Sequence, residues 1–232
     1  MTSARRIGAP DAKNRGVLLD AAEQLMLEEG YAAVTSRRVA DKAGLKPQLV
    51  HYYFRTMDDL FLAVFRRRAE QGLQLQARAL DSPQPLWALW RFSTNPSTTR
   101  LTMEFMGLAN HRKVLRAEIA YYAERFRDEQ NKAMTAALQR YGVNDSDVPP
   151  IVWTVFATSV SRVLVMEQAL GMSSGHAEML GFCEQWLRRL EGEPLPTDDA
   201  TSADGHQERM LQSAPLGPAS VATTAPSTSR VQ

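Results

Sequence analysis

The stretch that most constrains this chain is "ADKAGLKPQLVHYYFRT", Ala40 to Thr56. A short amphipathic helix stops at Gly44, and another starts at once behind Lys46-Pro47. Thr35 is placed to cap the first, Ser36 to Ala43, whose inward face is Val39, Ala40 and Ala43. Glycine takes the left-handed turn without a Cβ penalty, and a first-turn proline gives up an N–H that had no helical partner. An earlier helix, from near Asp11 to Glu29, gives the pair something to pack on, and together they predict a helix-turn-helix. The second helix, Pro47 to Tyr53, brings His51, Tyr52, Tyr53 and Phe54 in a row. So short a segment does not bury that much aromatic surface, so one face is kept for a partner.

The rest of the chain to Glu191 also reads as helix, with no alternating strand pattern. Thr56 caps a helix from Met57 to about Ala79, with Asp58 and Asp59 in its first turn, where acids suit the dipole. Short helices over 86–92 and from Pro96 to about Ala109 follow, then a long one from His111 to Tyr141. Ile151 to Leu170 is apolar on nearly every face and is expected to be buried on several sides. Ala177 to Leu190 ends the series. Beyond Gly192 the composition of Ser, Thr, Ala, Pro and Gly predicts a disordered tail. The fold class is therefore all-α, with about nine helices. Its expected parts are a flexible arm (1–11), a three-helix head (12–56), a second helical bundle (57–191) and the tail (192–232).

A net charge of +1 hides an uneven distribution, since residues 1–68 hold 12 Lys/Arg against 8 Asp/Glu. A basic head suits an anionic partner. One cysteine, Cys183, excludes an intrachain disulfide, and the first residues lack the apolar run of a secretory signal. Pro149, Pro150, Arg162 and four hydroxyls make the most apolar stretch, Val148 to Met166, a poor bilayer span. A cytoplasmic protein with no membrane partner is expected. The four histidines have no metal-ligand spacing, and no phosphate-binding glycine loop or nucleophile–base constellation occurs, so no metal, cofactor or catalysis is expected. Asn144-Asp145-Ser146 matches a glycosylation acceptor, idle without a secretory signal.

From Gly30 the run "GYAAVTSRRVADKAGLKPQLVHYYFRTMDDLF" resembles the DNA-binding domain of the TetR family of bacterial repressors. Gly30, Thr35, Arg37, Val39, Ala40, Ala43, Gly44, Leu45, Phe54 and Leu60 carry the resemblance, which covers about 50 residues. It implies that Arg37 reaches a guanine or a phosphate. Three positions depart from the family pattern. Lys46 stands where a capping Ser or Thr is usual, His51 where a Tyr meets the phosphate backbone, and Met57 where a Lys opens the next helix. Operator affinity and its pH dependence are expected to differ from the family norm.

Val50 and Phe54, four apart, face the core, which turns Gln48, Leu49, His51 and Tyr52 toward the groove. Gln48 suits paired hydrogen bonds to adenine and Leu49 a thymine methyl, whereas His51 and Tyr52 suit phosphates. Thr35 offers a hydroxyl and a helix N-terminus to phosphate. Arg38 fits phosphate or solvent equally, and Lys46, Pro47 and Tyr53 complete the candidate surface. Arg5 and Arg6, on the arm, fit either the minor groove or solvent.

In the bundle, Trp87, Trp90, Phe105, Met106, Asn110, Tyr122, Phe126, Trp153, Phe156 and Met166 are candidate lining for a pocket that would suit an apolar, elongated molecule; each also fits plain core. Val160, Leu164, Cys183, Trp186 and Leu190 exceed what one core needs, and pairing with a second copy would give the four-helix homodimer interface the resemblance implies. Apolar neighbours favour Cys183 as a structural thiol over a redox sensor. The expected function is a ligand-responsive regulator on double-stranded operator DNA, a repressor released by an apolar small molecule. The alternative is a helical lipid- or drug-binding protein with a vestigial helix-turn-helix.

Overall fold

The computed structural model describes residues 13–143 and 148–196. The chain divides into a compact unit, 1–195, and a second, 196–232, of which only Pro196 is described. Arg5 and Arg6, the Asn144–Ser146 acceptor and the tail beyond Pro196 therefore lie outside the described residues. Nine α-helices are found among those residues: α1 Lys13–Glu29, α2 Ser36–Ala43, α3 Pro47–Tyr53, α4 Met57–Leu80, α5 Pro85–Ser93, α6 Pro96–Ala109, α7 Lys113–Arg140, α8 Pro150–Ala169 and α9 His176–Glu191. The boundaries follow local chemistry. Thr56 accepts from Asp59 N while Asp59 accepts from Thr56 N, a complete capping box at the head of α4. Proline opens α3, α5 and α8, where its missing N–H has no helical partner anyway. A 3-10 turn, Tyr31–Ala33, follows α1 and is not signalled by the residue pattern.

Two hydrophobic cores hold the unit together. The first gathers Leu18, Leu25 and Met26 of α1, Val39 and Ala40 of α2, Val50 of α3, Phe54, and Leu60, Phe61 and Val64 of α4. It also takes in Leu101, Phe105 and Leu108 of α6 and Leu115 of α7, so the reading head and the body share one core. The second joins Leu86, Trp87 and Trp90 of α5 with Met134 and Leu138 of α7, Leu164 of α8, and Cys183 and Leu187 of α9.

Helix α8 differs from expectation. It is not buried on several sides; the face it buries is its hydroxyl face, Thr154, Thr158 and Ser161, at 0%, 4% and 0% exposure. These hydroxyls donate to carbonyls of their own helix, Thr154 to Pro150 O and Thr158 to Thr154 O, so they enter the interior without partners elsewhere. Val152, Val155, Phe156, Val163 and Met166 face outward. Pro149 and Pro150 sit at the cap and first position and do not interrupt the helix, which by length and hydropathy (20 residues, 1.2) is apolar enough to cross a membrane.

The body also extends past the expected boundary at Glu191. The Glu191 carboxylate accepts from Leu86 N at 3.0 Å, Trp87 N at 2.9 Å and the Tyr141 hydroxyl at 2.8 Å, so it caps α5 from a hundred residues away. The Gln84 amide donates to Glu191 O and Glu193 O and accepts from Leu195 N, and the Trp87 indole donates to Gly192 O. Burial and the adjacent carboxylate push the Tyr141 hydroxyl up to about 12, so it stays a donor across the working pH range. Glu191→Ala removes three acceptor contacts at once. It is expected to cost about 2–3 kcal/mol in urea unfolding, while truncation after Pro196 leaves the midpoint unchanged.

Candidate nucleic-acid interface

The turn between α2 and α3 is built as its residues require. Gly44 holds φ at +66°, and Leu45 N donates back to Ala40 O at 2.9 Å, closing the end of α2. Thr35 caps α2 by accepting from Arg38 N. Lys46 occupies the cap of α3 without a side-chain cap bond, which leaves its ammonium exposed. Val50 and Phe54 are 1% and 3% exposed and anchor α3 on the first core.

Anchored so, α3 presents Pro47, Gln48, His51 and Tyr52 to solvent, continuous with exposed Thr35, Arg37 and Lys46. Leu49 and Tyr53 behave differently from expectation: both are half-buried and pack against the first core, because they flank the Val50–Phe54 anchor. Tyr52 stands edge-on to Tyr53 with ring centres 5.0 Å apart. The two arginines of α2 also separate. Arg38 pairs with Glu29, which holds the carboxyl of Glu29 below its usual range, while the Arg37 side chain is 87% exposed with its nearest carboxylate, Asp41, at 3.9 Å. Of the two, Arg37 is the more exposed and the more loosely paired cation on this face.

Behind the reader, long-range ion pairs fix α4. Arg66 binds Glu118 of α7 through two bonds, at 2.6 and 2.9 Å. Arg67 reaches Asp20 and Glu23 of α1, and Arg68 also reaches Glu23, a carboxylate only 5% exposed. Asp58 pairs with Arg112, whose guanidinium lies 5.5 Å over the Phe61 ring. Tyr122 donates to Glu70, which also binds Arg125; burial and that carboxylate push the phenol up to about 12. Tyr31 N donates to Glu104 of α6 at 2.7 Å. Helical spacing reveals none of these partners, but Glu104 lies on the apolar stripe Leu101, Phe105, Leu108, and an acid on such a stripe signals a buried donor.

The ten residues named as pocket lining are spread over the two cores and the exposed surface. Trp87 and Trp90 belong to the second core and Phe105 to the first. Tyr122 is buried edge-on to Phe65, and Phe126 stacks with Phe92. Trp153 stacks on Trp186, whereas Met106, Asn110, Phe156 and Met166 are exposed. Of the five residues named for the dimer interface, Leu164 and Cys183 are buried in the second core, while Val160, Trp186 and Leu190 are half-buried against it. The outward faces of α8 and α9 carry further apolar residues, among them Val152, Phe156 and Phe182. Burial pushes the Cys183 thiol above its ordinary pKa, against a reactive thiolate. Among the described residues no cluster of His, Cys, Asp and Glu has the makings of a metal site.

An exposed second helix set on a three-helix core, with a polar and basic face turned outward, has the architecture of a helix-turn-helix. Residues 18–64 match the sequence profile of the bacterial regulatory proteins, tetR family. The chain is 33% identical over 87 residues to the HTH-type transcriptional repressor BepR of Brucella suis biovar 1 (strain 1330), covering 37% of this chain and 42% of that protein. It is 28% identical over 122 residues to the HTH-type transcriptional regulator BetI of Rhizobium meliloti (strain 1021), covering 49% and 60%. The matches thus span about half the length of these relatives. A TetR-family regulator from Rhodococcus sp. shares the fold with a TM-score of 0.62 at 18% identity, over 76% of this chain and all of that one. A regulator from Saccharomonospora viridis, in complex with choline, does so with a TM-score of 0.61 at 16% identity, over 75% and 93%.

The pairing of Arg66 holds the Glu118 carboxyl below its usual range. A carboxylate depressed on folding stabilises the protein above its unfolded pKa of about 4.3, and the gain is lost as pH falls through the folded value. Glu118→Gln is expected to lower stability at pH 7 by about 0.5–1 kcal/mol, the partners being part-exposed. Against wild type, the difference should vanish in urea melts taken below the folded pKa.

Proposed function

We propose that this chain is a homodimeric, ligand-responsive transcriptional regulator that acts as a repressor, leaving its operator when a small molecule binds the body. The observation that carries the reading is the outward face of α3 and α2, with Gln48 as base reader and Arg37, Lys46, His51 and Tyr52 on or near the phosphates. A vestigial head is disfavoured by the same face, which keeps a full set of polar and basic groups on an intact core.

The dimer surface in this reading is the outward side of α8 and α9, with Val152, Val155, Phe156, Val163 and Met166 joined by Phe182, which is 60% exposed. A contiguous apolar surface of this kind calls for a cover, and a second copy would supply it symmetrically. It also explains why a helix with membrane-like hydropathy belongs to a DNA-binding protein. Two heads so paired would meet half-sites about 34–36 Å apart or a multiple of that.

Support for a small-molecule effector comes from the choline held by the S. viridis neighbour. The effector acts only through its differential affinity for two arrangements, typically about 1–3 kcal/mol. The route to the head runs through α6, which touches Tyr31 N with Glu104 and the first core with Phe105.

Gel shifts on the DNA upstream of its own gene test this. Wild type is expected to bind specifically, with affinity falling steeply with salt. Gln48→Ala should relax discrimination at one base pair by about 1–3 kcal/mol, and Val163→Asp should yield a folded monomer by light scattering that has lost the shift. Salt-insensitive or sequence-blind binding by wild type would leave the head vestigial.

A further inference from the structure

Helices α4 and α7 run side by side, in the same direction and in step. Asp58 pairs with Arg112, Arg66 with Glu118, Glu70 with Tyr122 and Gln76 with Gln130, and in each pair the later residue lies 52 or 54 positions further on. The start of α7 therefore stands level with the start of α4. Only Phe54, Arg55 and Thr56 separate α4 from α3, so the corner between α6 and α7 brings the body down to the part of the head that follows α3.

Cations gather at this corner without acids to match them. On the flanks of the head, Arg38, Lys42, Arg66 and Arg67 each meet a carboxylate. At the corner the two acids of α4 are already used, Asp58 by Arg112 and Asp59 by the capping box. Arg55, Lys113 and Arg116 remain, all exposed, and among the described residues none of them has a carboxylate in ion-pair range. The Arg116 guanidinium folds back over the corner and donates to Asn110 O at 3.2 Å, which leaves most of its N–H groups for another acceptor. Lys113 and Arg116 are three apart and share one side of α7. Both stand in its first turn, where the dipole disfavours cations and where no acid and no side-chain cap offsets them. Leu115, between them, is 0% exposed in the first core and anchors the turn that carries them. A local preference broken without a local offset points to a partner, and here that partner is anionic and extended.

We propose that the α6–α7 corner, through Lys113 and Arg116 together with Arg55, lies against the phosphate backbone of double-stranded DNA just outside the base pairs that α3 meets. The inference rests on the operator reading and adds to it a contact made by the body. Such contacts fix register and affinity and carry no sequence information of their own. Because the corner ends α6, a shift of α6 alters the grip on DNA directly, as well as through the core of the head.

The test is fluorescence anisotropy of the full chain on a duplex footprinted upstream of its own gene, and on an unrelated duplex, over about 50–200 mM KCl. Lys113→Ala and Arg116→Ala are compared with wild type and with Lys132→Ala, which removes an exposed cation further along α7. Each of the first two is expected to weaken binding about three- to tenfold on both duplexes, and to lower the slope of log affinity against log salt by about one for each protomer bound. Lys132→Ala should keep the wild-type slope, and Arg116→Lys, which retains the charge, should bind as wild type does. Wild-type slopes in Lys113→Ala and Arg116→Ala, or an equal loss in Lys132→Ala, would overturn the contact while specific binding by wild type kept the operator reading intact. No specific binding by wild type would sink that reading and this contact together.

Discussion

The structure depends on one packing event, the insertion of the Leu101–Phe105–Leu108 stripe of α6 into the core of the helix-turn-helix head. All three side chains are at most 5% exposed. Fully burying each contributes about 1.5–3 kcal/mol, a large share of the roughly 5–15 kcal/mol that keeps a domain folded. The head alone has few residues from which to build a core, and small cores are marginal. Close approach makes the insertion possible. A Cβ at Gly107 would sit 3.2 Å from the Tyr31 ring, and Gly30, at φ +84°, leaves room for the Glu104 carboxylate while its backbone takes a conformation other residues avoid.

Charge then locks what packing brings together. Glu104 on Tyr31 N ties α6 to the corner after α1, Arg112 with Asp58 ties the loop after α6 to the start of α4, and Arg67 and Arg68 close on the buried Glu23. A displacement of α6 therefore reaches the head through the backbone and not only through flexible side chains. Packed cores of this kind switch between discrete arrangements more readily than they deform.

Much of the helical plan was legible in the residues. Thr35, Gly44, Pro47 and Thr56 mark ends by local chemistry, so α2, α3 and the start of α4 fall where the caps place them. The outward side of α3 was legible too, apart from Leu49 and Tyr53, which lie beside the anchors and lean on the core. Faces of the body helices were less so. Helix α8 looks apolar all round, but hydroxyls that bond their own helix can be buried at little cost, so Thr154, Thr158 and Ser161 turn inward while Val152, Val155 and Val163 turn outward. The inward use of Leu164 and Cys183 follows from α5, whose tryptophans need a cover that spacing along α8 and α9 does not reveal. Glu191 as the cap of α5 joins residues a hundred positions apart, a pairing outside the range of any local signal.

The central claim, that head and α6 form one cooperative unit, is tested most directly by native-state amide hydrogen exchange on wild type and Leu108→Ala. Leu108 is 2% exposed in the shared core and touches no residue of the reading face in any hydrogen bond or ion pair. The account predicts that amides of α1, α2 and α3 lose the same opening free energy as those of α6, about 2–4 kcal/mol for a buried leucine truncated to alanine. Loss of protection confined to α6, with the head exchanging as in wild type, would contradict it.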